Sequence, residues 1–323
     1  MGNLSKDKRD IFYRLAKEVG YRARSAFKLL QLDGEFDLLE GVVTAVDLCA
    51  APGSWSQVLG EKLGGRGDGG EQDGGEETGN TGNPVVAVDL QSMAPVPNVT
   101  IIKGDITSLQ TAHLIISSLP TPLCQLVVCD GAPDVTGLHD VDEYVQSQLL
   151  LSAINISTHV LSTDGTFVAK IFRGRDVNLL YDQLRVLFTR VSIAKPTSSR
   201  NSSIEAFVVA QGFRGGACRN LPLSGGWDGG SGGVPLPNGF VRTSLDPTAV
   251  PFVTCGSLST RFPPPPSEGY LDADRSYGVD SDKAVDVVQM PIAPPYGGFK
   301  ERVMREREEK EGKGEREGGE VTG

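Results

Sequence analysis

The residues with the clearest chemical potential are Asp47-Leu48-Cys49-Ala50-Ala51-Pro52-Gly53-Ser54-Trp55. The stretch closes a strand-like run that begins at Val42 and precedes a helix opening near Ser54. Its small side chains and bare Gly53 leave backbone N–H groups and main chain where a ligand can lie. The Gly-x-Gly-x-x-Gly pattern that cradles a pyrophosphate is missing, and so is the Gly-Lys-Ser/Thr of a P-loop. A pocket of one glycine, an alanine pair and a tryptophan suits a nucleoside-like ligand without phosphates, of which S-adenosylmethionine is the commonest. By itself the stretch fits a plain strand–turn–helix corner equally well.

Three acids fall at the ends of strand-like runs: Asp89, Asp105 in Lys103-Gly104-Asp105-Ile106, and Asp130 in Cys129-Asp130-Gly131-Ala132-Pro133. Ligands in open α/β sheets bind outside the carboxyl ends of the strands. Carboxylates there can take ribose hydroxyls, an adenine amino group and the ammonium of a methionine moiety. Singly, each is also an ordinary turn or helix cap, Asp105 before Thr107 above all. Three together beside the Gly53 turn favour a ligand. Lys170 closes the apolar run Thr166-Phe167-Val168-Ala169-Lys170-Ile171-Phe172, and Glu205 lies in Ser203-Ile204-Glu205-Ala206-Phe207. A lysine in such a run is costly unless it is paired or reaches a cleft. From spacing alone, a structural Lys170–Glu205 ion pair accounts for both. Lys28 lies in an N-terminal helical stretch, Arg24-Ser25-Ala26-Phe27-Lys28-Leu29.

These side chains need an α/β frame, and residues 1–213 alternate strand and helix patterns as one unit. The predicted strands are 42–49, 85–90, 98–102, 125–130, 165–171, 188–194 and 204–211, and the predicted helices 9–18, 22–32, 54–63, 107–117, 140–161 and 176–187. Runs such as Leu126-Val127-Val128-Cys129 are apolar on both faces, as a parallel sheet requires. Residues 64–83, almost entirely Gly, Asp, Glu and Asn, form no core and read as a disordered surface insert. Asp89 lies 42 residues beyond Asp47, but only 22 once the 20 residues of the insert are left out. That is the spacing of a ribose-binding acid on a second strand. From Arg214 the chain turns to Gly, Pro and Ser, with short apolar islands at Pro251–Gly256 and Pro291–Tyr296 and a charged run over 300–323. The tail is expected to be largely disordered, its islands docking on the parent domain or on a partner.

The net charge is −10, yet residues 1–30 hold eight Lys/Arg against three acids, with Tyr13, Tyr21 and Phe27 interleaved. Such an arm is either a solvated helix face or an RNA-contact surface, and its aromatics favour RNA. Five scattered cysteines without a C-x-x-C pair, and three scattered histidines, support neither a disulfide framework nor a metal site. Cys49, Cys124 and Cys129 read as reduced core residues. No apolar run reaches membrane-spanning length and no signal-peptide core is present. A cytoplasmic protein is expected.

In order along the chain, Tyr21-Arg22-Ala23-Arg24-Ser25-Ala26-Phe27-Lys28-Leu29, Asp47–Trp55, Asp130-Gly131-Ala132-Pro133, Lys170 and Ser199-Arg200-Asn201-Ser202-Ser203-Ile204-Glu205 resemble the FtsJ-like ribose 2′-O-methyltransferases. The islands Pro251–Gly256, Asp274-Arg275-Ser276-Tyr277 and Pro291–Tyr296 resemble the eukaryotic branch that modifies the tRNA anticodon loop with separate partner proteins. The resemblance implies a Lys-Asp-Lys-Glu tetrad at Lys28, Asp130, Lys170 and Glu205, and S-adenosylmethionine contacts from Gly53, Trp55, Asp89, Asp105 and Asp130. The insert 64–83 and the charged end depart from it. A Rossmann-like methyltransferase follows, with seven mostly parallel strands, helices on both faces and the last strand reversed.

A sulfonium methyl is already electrophilic, so such an enzyme mainly aligns a ribose hydroxyl with it and removes the proton. Lys170 is the expected base, with Lys28 as a second cation lowering its pKa and Asp130 and Glu205 orienting the groups. Those carboxylates push Lys170's pKa upward, and the sequence leaves open which influence prevails. Methylation of rRNA or mRNA, a nicotinamide oxidoreductase using Asp89 on ribose, and a silent RNA-binding scaffold are the competing readings. The absent pyrophosphate turn weighs against the second, and the four occupied tetrad positions against the third.

Overall fold

The computed structural model describes residues 10–64, 82–132, 139–172, 177–200, 202–216 and 252–255. Lys6, Lys8 and Arg9 of the basic arm, nearly all of the insert, the islands Asp274–Tyr277 and Pro291–Tyr296, and the run 300–323 lie outside them. The described residues begin with two helices, α1 (Ile11–Val19) and α2 (Ala26–Phe36). There follow β1 (Ala45–Leu48), α3 (Ser54–Gly64), β2 (Val85–Asp89), β3 (Val99–Lys103), α4 (Leu109–Ser118) and β4 (Cys124–Cys129). The second half runs α5 (His139–Val160), β5 (Leu161–Phe172), α6 (Val177–Leu187), β6 (Phe188–Pro196) and β7 (Glu205–Phe213), with β8 (Phe252–Cys255) last.

The strands form one sheet in the order β3-β2-β1-β4-β5-β7-β6-β8. β7 is antiparallel to both neighbours, and every other pairing is parallel, as expected for a sheet with its last core strand reversed. Alternate side chains along each strand feed two cores. Val46, Leu48, Val127, Phe167 and Ala169 pack with α4, α5 and α6. Ala45, Ala87, Val128, Val168 and Phe207 pack with α1, α2 and α3. Helices therefore cover both faces.

Two expectations need correction. The sheet has eight strands rather than seven, because Phe252–Cys255 from the Gly/Pro-rich tail pairs parallel with β6. That pairing covers a row of edge N–H and C=O groups which would otherwise stay open. The second helix starts at Ala26 instead of Arg22, since residues 22–25 turn, with Ala26 N–H donating to Ala23 O and Phe27 N–H to Arg24 O. The insert falls where the spacing placed it, between α3 and β2. It leaves the register intact: Leu48 lies opposite Val88, and Asp89 ends the next strand.

Candidate active site

Strand register brings the tetrad together. Phe172 lies opposite Glu205 across the antiparallel β5–β7 pair, so Lys170 stands one diagonal away on the same face. On its other side β5 runs parallel to β4 with Cys129 opposite Ala169, which sets Asp130 beside Lys170. Lys28 reaches in from α2, its Nζ 2.7 Å from Glu205 Oε1 and 2.9 Å from Oε2. Lys170 Nζ lies 2.7 Å from Asp130 Oδ1 and 3.8 Å from Glu205 Oε2. It also donates to the Asp130 main-chain oxygen at 2.8 Å. The result is an alternating chain, Lys28–Glu205–Lys170–Asp130, whose side chains are only 10–15% exposed.

The charges decide what the sequence left open. Burial pushes the Glu205 carboxyl up, but Lys28 and Lys170, with hydrogen bonds from Lys28 and Ser199, bring it down to about 2. Burial pulls Lys170 down, yet Asp130 and Glu205 outweigh it and hold the ammonium above its ordinary value. Lys28 spends its charge on Glu205, so it does not act as the expected depressor of Lys170. The carboxylates prevail.

Glu205 is itself held from the loop between β6 and β7. Ser199 Oγ donates to Glu205 Oε1 at 2.8 Å. The loop is gripped by α2, the helix that carries Lys28. Gln31 Nε2 donates to Thr197 Oγ1 at 2.9 Å, while Gln31 Oε1 accepts from Ser198 N–H and Oγ. Arg24 donates to the Ser198 carbonyl and pairs with Asp10, which also takes Arg200 at 3.2 Å. From the other side β8 accepts at Cys255 O from Thr197 N–H at 2.8 Å. The tail strand and the Lys28 helix together brace the loop that supports Glu205.

The turn after β1 differs from its expectation. Its N–H groups are taken: Ala50 donates to Val88 O, Ala51 to Asp89 Oδ2 at 2.8 Å, and Gly53 to Ala50 O. Pro52 has none, and the Ala51–Pro52 bond is cis. Gly53 adopts φ +96°, and a Cβ there would come 2.8 Å from Arg22 Nη1, so one side of the glycine is already covered. Arg22 clamps the turn by donating to Pro52 O, Ala94 O and Pro95 O at 3.2, 2.8 and 2.6 Å. With these N–H donors committed, the turn itself lacks the row of free N–H groups that a glycine-rich phosphate loop presents. It fits a nucleoside without phosphates. Such a ligand would lie beside Asp89, whose Oδ1 accepts from Gln91 N–H at 2.8 Å and whose acceptor capacity is not exhausted.

The comparisons bear on the same residues. The model of the FtsJ-like methyltransferase family matches residues 21–213. The chain belongs to that family. It is 54% identical over 312 residues to the human tRNA (cytidine(32)/guanosine(34)-2′-O)-methyltransferase, covering 92% of this chain and 83% of the human one. The Schizosaccharomyces pombe protein of the same name is 49% identical over 303 residues, covering 92% and 95%. A Plasmodium falciparum crystal structure described as a ribosomal RNA methyltransferase superposes with a TM-score of 0.51 at 25% identity, over 61% of this chain and all of the other.

In this FtsJ-like methyltransferase the cofactor is S-adenosylmethionine, and the phosphate-free turn with its neighbouring acids fits it. Asp105 Oδ1 accepts from Thr107 N–H and Oγ1 at 2.8 Å, so it caps the turn before α4 while standing at the β3 end. Trp55 is buried, packs with its ring tilted against Phe207 and donates Nε1–H to Ser25 O at 2.7 Å. Its side chain locks the N-terminal arm onto α3. Asp47 lies wholly buried beneath the turn, accepting from Ser56 Oγ at 2.5 Å. Burial, with Asp130 and Asp89 nearby, pushes its carboxyl to about 7. From the sequence, Arg22 counts only among the basic residues of a candidate RNA-contact arm, Asp47 and Ser199 stand in motifs without a role, and Gln31 is passed over; the structure turns Arg22 onto three backbone carbonyls instead. Their work is done through backbone carbonyls and other side chains, which spacing does not reveal.

Proposed function

We propose that this protein transfers a methyl group from S-adenosylmethionine to ribose 2′-hydroxyls of the tRNA anticodon loop, at positions 32 and 34. The observation that carries the reaction type is the alternating Lys28–Glu205–Lys170–Asp130 chain beside a turn whose own N–H groups are committed. The names of relatives covering 92% of the chain support the substrate.

Bound S-adenosylmethionine supplies an electrophilic methyl on a positively charged sulfur. Asp89 holds the cofactor ribose, and Asp105 and Asp130 receive its amino groups. Gly53 lends main-chain surface, and Trp55 fixes α3. Asp130 and Glu205 keep Lys170 Nζ at one point, where it meets the incoming 2′-hydroxyl. Lys170 is charged in the resting site. It sheds its proton before accepting the one from the hydroxyl, so the reaction accelerates with pH until Lys170 is largely neutral. Lys28 keeps Glu205 ionised and in place. The catalytic domain is residues 1–213 joined by β8, and a separate protein selects the nucleotide through the tail. No helix among the described residues is long and apolar enough to cross a membrane. The described cysteines form no disulfide, and a cytoplasmic place of work is part of this reading.

Quantitative mapping of 2′-O-methylation in tRNA and rRNA from cells with and without the protein tests the substrate. Loss at tRNA positions 32 and 34 is expected. Loss confined to rRNA would overturn it.

A further inference from the structure

Gln146 on α5 is an uncharged amide, 4% exposed, in a helix whose neighbouring faces supply core apolar side chains. Its Nε2 donates twice, to Gly131 O at 3.0 Å and to Lys170 O at 2.9 Å. These two carbonyls sit at the ends of adjacent parallel strands. One follows Asp130 directly and the other belongs to Lys170 itself. Oε1 has no partner among the described residues. An amide's orientation is decided by its network, and here only the NH₂ end can satisfy two carbonyls. The side chain tolerates an idle acceptor in order to place both donors.

We propose that Gln146 is a positioning residue for methyl transfer: it staples the ends of β4 and β5 so that Asp130 and Lys170 keep their separation. The inference rests on the reading of Lys170 as base. Lys170 Nζ meets Asp130 through both Oδ1 and the main-chain oxygen, so its position depends on where the Asp130-Gly131 backbone lies relative to its own. No hydrogen bond of the β4–β5 ladder is available beyond Cys129–Ala169, the last paired register. Gln146 supplies a tie just beyond it, one residue further on in β5 and two past the end of β4. Without it the Asp130 backbone can drift from Lys170, which both misplaces the amine and relieves the carboxylate's hold on its proton.

The test uses the full chain with Gln146→Met, which keeps the volume and removes both donors, and Gln146→Glu, which keeps the shape. Each is compared with wild type and Lys170→Ala by single-turnover methyl transfer across pH and by S-adenosylmethionine binding. Gln146→Met is expected to slow transfer by about tenfold or more, with cofactor affinity within about threefold. The inflection of the pH–rate profile should move to lower pH, a change that a merely structural role would not produce. Gln146→Glu, with one carboxyl in place of two amide donors, is expected to slow transfer likewise. A wild-type rate in both variants, or a rate lost only in proportion to folded, cofactor-binding protein with the inflection unmoved, overturns the proposal while Lys170 keeps its role. Normal transfer by Lys170→Ala removes the base reading and this inference with it.

Discussion

Replacing Glu205 by Gln changes the charge next to Lys170 and almost nothing of its shape. The Lys170 amine lies 3.8 Å from Glu205 Oε2. At an effective dielectric constant of about 20, two unit charges at that distance interact by about 4 kcal/mol. Both side chains retain some solvent contact, 10% and 13%, which screens part of that interaction. The direction is fixed: Glu205 raises Lys170, so its loss lowers it, and the Lys28 cation it leaves behind lowers it further. In single-turnover transfer between about pH 7 and about pH 11, log rate against pH should rise with unit slope throughout for wild type, whose Lys170 is held above its ordinary value. The variant's profile should bend over at lower pH than wild type's, whatever its plateau height. The plateau itself falls, because a weaker base is less well oriented. Breaking the pair with Lys28 also costs about 3 kcal/mol of stability, seen as a lower Tm at neutral pH. Glu205 ionises well below its ordinary range, so its stabilisation is present at neutral pH and disappears only as pH falls from about 4 towards about 2. A measurable rate in the variant that keeps rising with wild type's unit slope to the top of the range would refute Lys170 as the titrating base.

Three further outcomes follow from the same geometry. Ser199→Ala removes one charge-assisted bond to Glu205 and should lower the transfer rate by about tenfold, leaving cofactor affinity unchanged in a binding titration. Arg22→Ala frees the turn over Pro52 and Gly53; the cofactor Kd should rise about tenfold while kcat at saturating cofactor stays within about threefold. Asp47→Asn removes an acid whose pKa is raised from 3.8 to about 7 on folding, so the stability it adds is full below about pH 4 and lost by about pH 7. Denaturant unfolding should show the variant gaining on wild type over that range and staying level above it; a constant difference would mean that Asp47 does not titrate there.

Much of the frame was legible because parallel strands are apolar on both faces, and such runs as Leu126–Cys129 stand out against any background. The place of Asp89 at the end of β2 became legible only when the 20 Gly- and acid-rich residues were left out of the spacing from Asp47. The tetrad rested on family resemblance: spacing alone offered a Lys170–Glu205 pair, which exists at 3.8 Å but is the loosest contact in the chain. β8 escaped detection as a strand because four residues in a Gly/Pro-rich tail carry no period of their own. They extend only by pairing with Ile193–Pro196 of β6, more than fifty residues earlier. Gln31 and Gln146 were invisible for a related reason. An amide in a helix looks solvated until tertiary contacts show which carbonyls it serves.

The most direct test of the central claim is mass-spectrometric mapping of methyl groups on tRNA incubated with S-adenosylmethionine and either wild type or Lys170→Ala, with cofactor binding measured on both. The account predicts 2′-O-methylribose in the anticodon loop with wild type, and none with Lys170→Ala despite cofactor affinity within about threefold of wild type. Methyl groups on a base, or undiminished ribose methylation by Lys170→Ala, would contradict it.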